Sequence, residues 1–136
     1  MSLILLDTHV AMWTVAGELG RAAAEVVKGA ATRGDLLISP ISAWEIGLLA
    51  SKQRIELIAP VGAYIRTLFS QPGVVTATLT PEIAVMSSCL PGTFHADPAD
   101  RLLIATAAAY GAQLLTRDKA ILAYAKATKH IRCIAC

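Results

Sequence analysis

The sequence predicts an α/β protein, a three-layer α/β/α sandwich around a central, mostly parallel sheet. Short apolar runs recur along the chain, and longer stretches of helical character separate them. A strand that is apolar at successive positions is buried on both faces, so helices must cover the sheet above and below. No repeat, low-complexity run or linker interrupts the alternation, and 136 residues suffice for one packed core, so a single domain over 1–136 is expected.

The elements follow in order. SLILL (2–6) reads as the first strand, with a helix over about 9–17 and a second over 21–33. LLIS (36–39) is the second strand, followed by helices over 40–53 and 60–71. VVTAT (74–78) is the third, with a helix over 81–90 after it. The helix at 98–110 has the clearest start: Asp97 suits an N-cap, Pro98 the first helical position, and Asp100 the third, where a carboxylate meets the positive end of the helix dipole. QLLT (113–116), a helix over 118–128 and IRCIA (131–135) complete the pattern.

Composition narrows the class. The chain is 55% hydrophobic with a mean hydropathy of +0.57, yet only 5% aromatic, so its apolar content is mostly aliphatic. The longest uncharged stretches, between Arg66 and Glu82 and between Arg101 and Arg117, fall short of the roughly 18 apolar residues of a membrane span. MSLILLDTH lacks the basic start of a signal peptide. A soluble, cytoplasmic protein without membrane association is expected, whose excess apolar surface suits a homodimer or another protein partner.

Charge is unevenly spread. Residues 101–136 carry six basic side chains against one acid, whereas the first hundred carry nine acids against six bases. A basic C-terminal portion suits a polyanionic partner or a solvated face. Cys133 and Cys136 form a terminal CxxC, but no helix follows it as redox chemistry requires, and Cys89 and His130 complete no standard zinc spacing. The pair reads as coincidence.

Four acids carry the functional argument. In an open parallel sheet the crevice lies beyond the carboxyl ends of the strands. Asp7 ends the first strand, Asp118 follows QLLT with one residue between, and Asp100 opens the helix leading back to that strand. Glu45, in SPISAWEIG, has Ile41, Leu48 and Leu49 as helical neighbours and no cation one turn away. Carboxylates gathered in this way repel, and a hard divalent cation, Mg2+ or Mn2+, resolves the conflict. An open acidic site of this kind polarises a phosphoryl oxygen, activates water and stabilises the leaving oxygen. Asp7 and Asp100 are the expected direct ligands; Glu45 and Asp118 would bind the ion directly or through water, or orient the attacking water. Arg101, Arg117 and Lys119, adjacent in sequence to these acids, are candidate phosphate contacts.

LLDTHVAMW, SPISAWEIG, HADPADRLLIATA and LLTRD, in this order, resemble the PIN domain, and more narrowly the VapC-type toxin nucleases of toxin–antitoxin pairs. The resemblance runs through nearly the whole chain; Ala96 and Ala99 stand where longer side chains are common. It implies a metal-dependent endoribonuclease in which Asp7, Glu45, Asp100 and Asp118 match the family's acidic quartet. Asp97 is then mainly a cap, and Thr116 matches a small hydroxyl residue that binds water or a carboxylate. It also implies an RNA substrate, dimerisation, and silencing by a cognate antitoxin whose C-terminal segment covers the acidic groove.

Among weaker candidates, His9 and His95 could touch substrate phosphate but read first as local hydrogen-bonding residues. Trp13 and Trp44 could stack on a base but, at helical spacing beside Leu and Ile, read as core. Rival functions are an aspartyl phosphatase, which wants an acid where His9 stands, and a phosphoreceiver, which wants paired acids where Asp7 stands alone. A catalytically silent binding domain of the same fold is the third.

Overall fold

A computed structural model describes residues 2–136. The chain runs β1 (Ile4–Leu6), α1 (Thr8–Ala16), α2 (Arg21–Arg33), β2 (Leu36–Ile38), α3 (Pro40–Ser51), α4 (Val61–Phe69), β3 (Val74–Thr76), α5 (Pro81–Ser88), α6 (Pro98–Tyr110), β4 (Gln113–Thr116), α7 (Lys119–Thr128) and β5 (Arg132–Ala135). The five strands form one parallel sheet in the order β3-β2-β1-β4-β5. This is the α/β sandwich that the alternating runs predict.

Strand alternation divides the core into two layers. Leu5, Leu37 and Leu114 face a cluster built from Ile83 of α5, Leu103, Ile104 and Ala107 of α6, and Ile121 and Tyr124 of α7. Ile4, Leu6, Leu36, Ile38 and Leu115 face Val10 and Ala11 of α1, Val27 and Ala30 of α2, Ile46 of α3 and Leu68 of α4. So α1–α4 cover one face and α5–α7 the other.

The same alternation separates the terminal cysteines. Cys133 packs against the first cluster and Cys136 against the second, on opposite sides of the sheet. Three residues apart on a strand, their side chains diverge, so the CxxC forms no ligand pair.

Helix boundaries shift from the expected ones for a common reason. Asp118 lies outside α7 as its N-cap, and α1 starts immediately after Asp7, which caps it. The third strand ends at Thr76, shorter than expected, although the Ala77 N–H still bonds the Ile38 carbonyl at 2.9 Å. The turn into it is fixed by Gly73 (φ +82°), where an added Cβ would lie 1.9 Å from the Ala31 carbonyl oxygen.

Strand order reverses at β1, whose neighbours are β2 on one side and β4 on the other. The crevice for a ligand in such a sheet opens at that switch point, beyond the carboxyl ends of the strands. Asp7 follows β1 directly, and Asp118 lies two residues beyond the end of β4. The topology therefore brings both acids to one edge.

Candidate active site

Asp7 is held on both carboxylate oxygens. Oδ1 accepts from the Thr8 N–H at 2.7 Å and Oδ2 from the Thr116 hydroxyl at 2.6 Å. Thr116 is fully buried and also accepts the Asp118 N–H at 3.0 Å, so one hydroxyl sets the geometry at the ends of both central strands. Burial, ahead of those hydrogen bonds, raises the Asp7 pKa, and the charge of Asp118 adds to the rise.

Glu45 reaches the same edge from α3, in the opposite helical layer to Asp100. Its Oε1 accepts from the Thr8 hydroxyl at 2.5 Å, and the same hydroxyl lies 2.9 Å from the Ser42 hydroxyl. Both hydroxyl residues are buried. Thr8 thus touches two of the four acids, Asp7 through its amide and Glu45 through its hydroxyl. Sequence reading passed over it because a threonine after a strand is common; the signal was its adjacency to Asp7. Burial again comes first in raising the Glu45 pKa, followed in the same direction by the charges of Asp7 and Asp97.

Asp100 differs. No hydrogen bond reaches its carboxylate among the described residues, and its nearest ionisable partner is His95, with Nε2 3.5 Å from Oδ2. Burial and then the charges of Asp97, Asp7, Asp118 and Glu45 push its carboxyl up to about 7. The other four acids therefore all lie within electrostatic reach of Asp100. Asp97 caps α6, its Oδ1 accepting from the Ala99 and Asp100 amides at 2.9 and 3.3 Å. Asp118 caps α7 in the same way, its Oδ1 accepting from the Ala120 and Ile121 amides, and its Oδ2 accepts no hydrogen bond among the described residues.

The chemistry of this donor set fits a hard divalent ion. The groups are carboxylate oxygens from α3, α6 and two strand ends, the charges of Asp7, Glu45 and Asp100 are disfavoured by burial and then by neighbouring acids, and no Lys or Arg side chain pairs with any of the four among the described residues. Among those residues no group of three or more His, Cys, Asp or Glu side chains is gathered closely enough to hold an ion by itself, so any ion here would take few protein ligands and complete its shell with water. An open set suits Mg2+, which keeps several waters and takes few carboxylates.

The flanking cations occupy distinct settings. Lys119 is exposed at the first position of α7. Arg117 is exposed, with its guanidinium 4.2 Å from the centre of the Trp13 ring and its Nε donating to the Cys136 carbonyl at 3.0 Å. Arg101 is half-buried and donates to three backbone carbonyls, of Ser87, Phe94 and His95. Of the other candidates, Trp13 packs against the α1–α4 core as expected. Trp44 does not: it is 53% exposed. The buried positions of α3 are Ser42 and Ile46, each two residues and so about 200° away from it. His95 makes the local hydrogen bond expected of it, Nδ1 accepting from the Asp97 N–H at 3.3 Å. His9 is exposed and makes none among the described residues; its ring lies 5.9 Å from that of Trp13.

Comparison with known proteins matches residues 4–127 to the PIN domain model. Ribonuclease VapC22 of Mycobacterium tuberculosis (strain ATCC 25618 / H37Rv) is 38% identical over 121 residues, covering 88% of this chain and 89% of that protein. Two crystal structures share the fold. VapBC2 from Rickettsia felis, bound to a DNA fragment from its promoter, aligns with a TM-score of 0.67 at 13% identity over 97% of both chains. DNA-bound VapBC from Salmonella typhimurium aligns with a TM-score of 0.68 at 18% identity, over 99% of this chain and 98% of that one. The sheet order, the acids at its switch point and these matches agree: the chain belongs to the PIN domain family, among its VapC-type members.

Proposed function

We propose that the protein is a divalent-metal-dependent endoribonuclease, a VapC-type toxin that hydrolyses RNA phosphodiester bonds at the edge where Asp7, Glu45, Asp100 and Asp118 meet. The observation that carries this reading is Asp100: a largely buried carboxylate among four other acids, whose oxygens accept no full hydrogen bond among the described residues. A charge in that setting is costly unless a cation compensates it. The relative named a ribonuclease supports the same reaction class.

Asp7 and Asp100 would hold Mg2+ or Mn2+, with Asp118 and Glu45 binding directly or through water. When bound, the ion supplies positive charge for the phosphate oxygens and acidifies water. The chain's residues do the rest. Thr116 and Thr8 fix the Asp7 carboxylate in one orientation before substrate arrives. Among the described residues Glu45 Oε2 accepts no hydrogen bond, and that oxygen would orient the attacking water and take up its proton as the water oxygen bonds to phosphorus, while the P–O bond to the leaving oxygen breaks and that oxygen is protonated from solvent. Lys119 and Arg117 offset the repulsion between an acidic site and a polyanion by holding flanking phosphates. The guanidinium of Arg101 is engaged with backbone carbonyls, so it acts on substrate indirectly, through the segment it holds.

The reading includes two protein partners, a cognate antitoxin and a second copy of the chain, and a cytoplasmic location. Exposed Trp44, Ile58, Val61 and Val85 provide apolar surface for such contacts. Among the described residues no helix is long and apolar enough to cross a membrane. The test is cleavage of structured RNA by purified protein, expected with Mg2+ or Mn2+ and abolished by EDTA. Undiminished cutting in EDTA would refute the metal assignment.

A further inference from the structure

Three of the site's carboxylates differ in how their orientation is set. Thr116 and Thr8 donate to Asp7 and Glu45. Among the described residues Asp100 has only the imidazole of His95, whose placement is determined by the segment between α5 and α6. Arg101 Nε donates to the Ser87 carbonyl at 2.8 Å, and its Nη1 to the carbonyls of Phe94 and His95 at 3.2 and 3.3 Å. The Tyr124 hydroxyl donates to the Pro91 carbonyl, and the Phe94 ring meets Tyr124 edge-on with centroids 5.3 Å apart. Phe94 in turn stacks on His95 at 4.0 Å. Finally, the Asp97 N–H donates to His95 Nδ1. A nitrogen that accepts leaves the ring proton on the other one, so Nε2–H is the atom facing Asp100 Oδ2 at 3.5 Å.

We propose that His95 is a positioning residue for Asp100, and that Arg101 and Tyr124 hold the segment preceding α6 so that the imidazole Nε2–H stays beside Oδ2 and turns the other carboxylate oxygen toward the ion. This rests on the reading of Asp100 as a metal ligand. At 3.5 Å the contact is electrostatic rather than a full hydrogen bond, which orients the carboxylate without occupying its lone pairs as fully as the threonines do at Asp7. Groups that orient a ligand in this way strengthen metal binding in the absence of substrate. A residue that contacts RNA does not.

The test is a Mn2+ titration of the full chain without RNA, followed by the electron paramagnetic resonance of free Mn2+, on the parent, His95→Ala and His95→Gln, with thermal unfolding in EDTA alongside. His95→Ala should weaken Mn2+ binding about 10- to 100-fold with unfolding in EDTA unchanged. His95→Gln places an amide N–H where Nε2 stood and should recover most of the affinity. Parent-like binding by His95→Ala, with only KM for RNA raised, would overturn the positioning role and make His95 a substrate contact. Binding by His95→Gln as weak as by His95→Ala would overturn it too, since a donor would not then be what matters. If the parent takes up no Mn2+, or Asp100→Asn binds it as the parent does, the four-carboxylate reading itself falls and the positioning role with it.

Discussion

Asp7 and Asp100 occupy the same edge of the sheet, and burial raises the pKa of both, yet the protein treats them differently. Each oxygen of Asp7 accepts a hydrogen bond, from a backbone amide and from a buried hydroxyl. Neither oxygen of Asp100 accepts one among the described residues, and four neighbouring acids raise its pKa further. Asp7 is thus a preorganised oxygen donor whose position the fold dictates, while Asp100 is a charge that the fold meets only with the His95 imidazole at 3.5 Å among the described residues. In the proposed site, the pairing of a rigid ligand with an unsatisfied one would let an ion bind without a cage that excludes substrate and water.

The largest effect should come from removing either charge. Asp7→Asn and Asp100→Asn should each lower RNA cleavage by about 10³-fold or more while circular dichroism stays unchanged. Cleavage at the parent rate by either variant breaks the comparison at its root. A smaller effect belongs to the hydroxyls that position Asp7 and Glu45. Thr116→Val and Thr8→Val keep the shape and remove the donor, and each should cost about 10- to 100-fold in metal affinity or kcat. Their Asp100 counterpart has no hydroxyl to remove, which is the contrast these variants sharpen.

The smallest effect is on stability without metal. The Asp100 carboxyl titrates near 7 in the folded protein and near its ordinary 3.8 when unfolded. Between those values the folded state holds a proton that the unfolded state releases, so its stability contribution is full below about pH 4 and is lost as pH rises through 7. Asp100→Asn should therefore raise Tm in EDTA at pH 8, through a stability gain of roughly 1–2 kcal/mol after allowing for solvent screening, with the gain vanishing near pH 4. Asp7→Asn relieves repulsion too but disturbs the bond from Thr116, so it should gain less. Equal gains at pH 8 would mean that the two sites are not distinct in the way described.

Much of this was legible in the residues. Continuous apolar runs can be buried only between two helical layers, and every strand and helix of the expected order is present, with ends displaced by a few residues. Asp7, Asp100 and Asp118 sit beside strand ends or helix starts, where local sequence fixes position. What could not be read was side-chain pairing across the fold. The Thr8–Glu45 contact spans 37 residues and Thr116–Asp7 spans 109, and nothing in local spacing marks either. Arg101 shows the same limit: beside Asp100 in sequence it suggests a phosphate contact, but its Nε and Nη1 donate to carbonyls up to 14 residues away. Trp44 was misjudged because a helix of high overall apolarity has no sharp stripe to say which face is inward.

The most direct test of the central claim is a crystal structure of the protein grown with Mn2+, with the ion located by its anomalous scattering. The account predicts a peak at the carboxyl edge of the sheet, about 2.1 Å from one oxygen of Asp7 and one of Asp100, with Glu45 and Asp118 bound directly or through water. A peak elsewhere, or one that Asp100 does not touch, would contradict it.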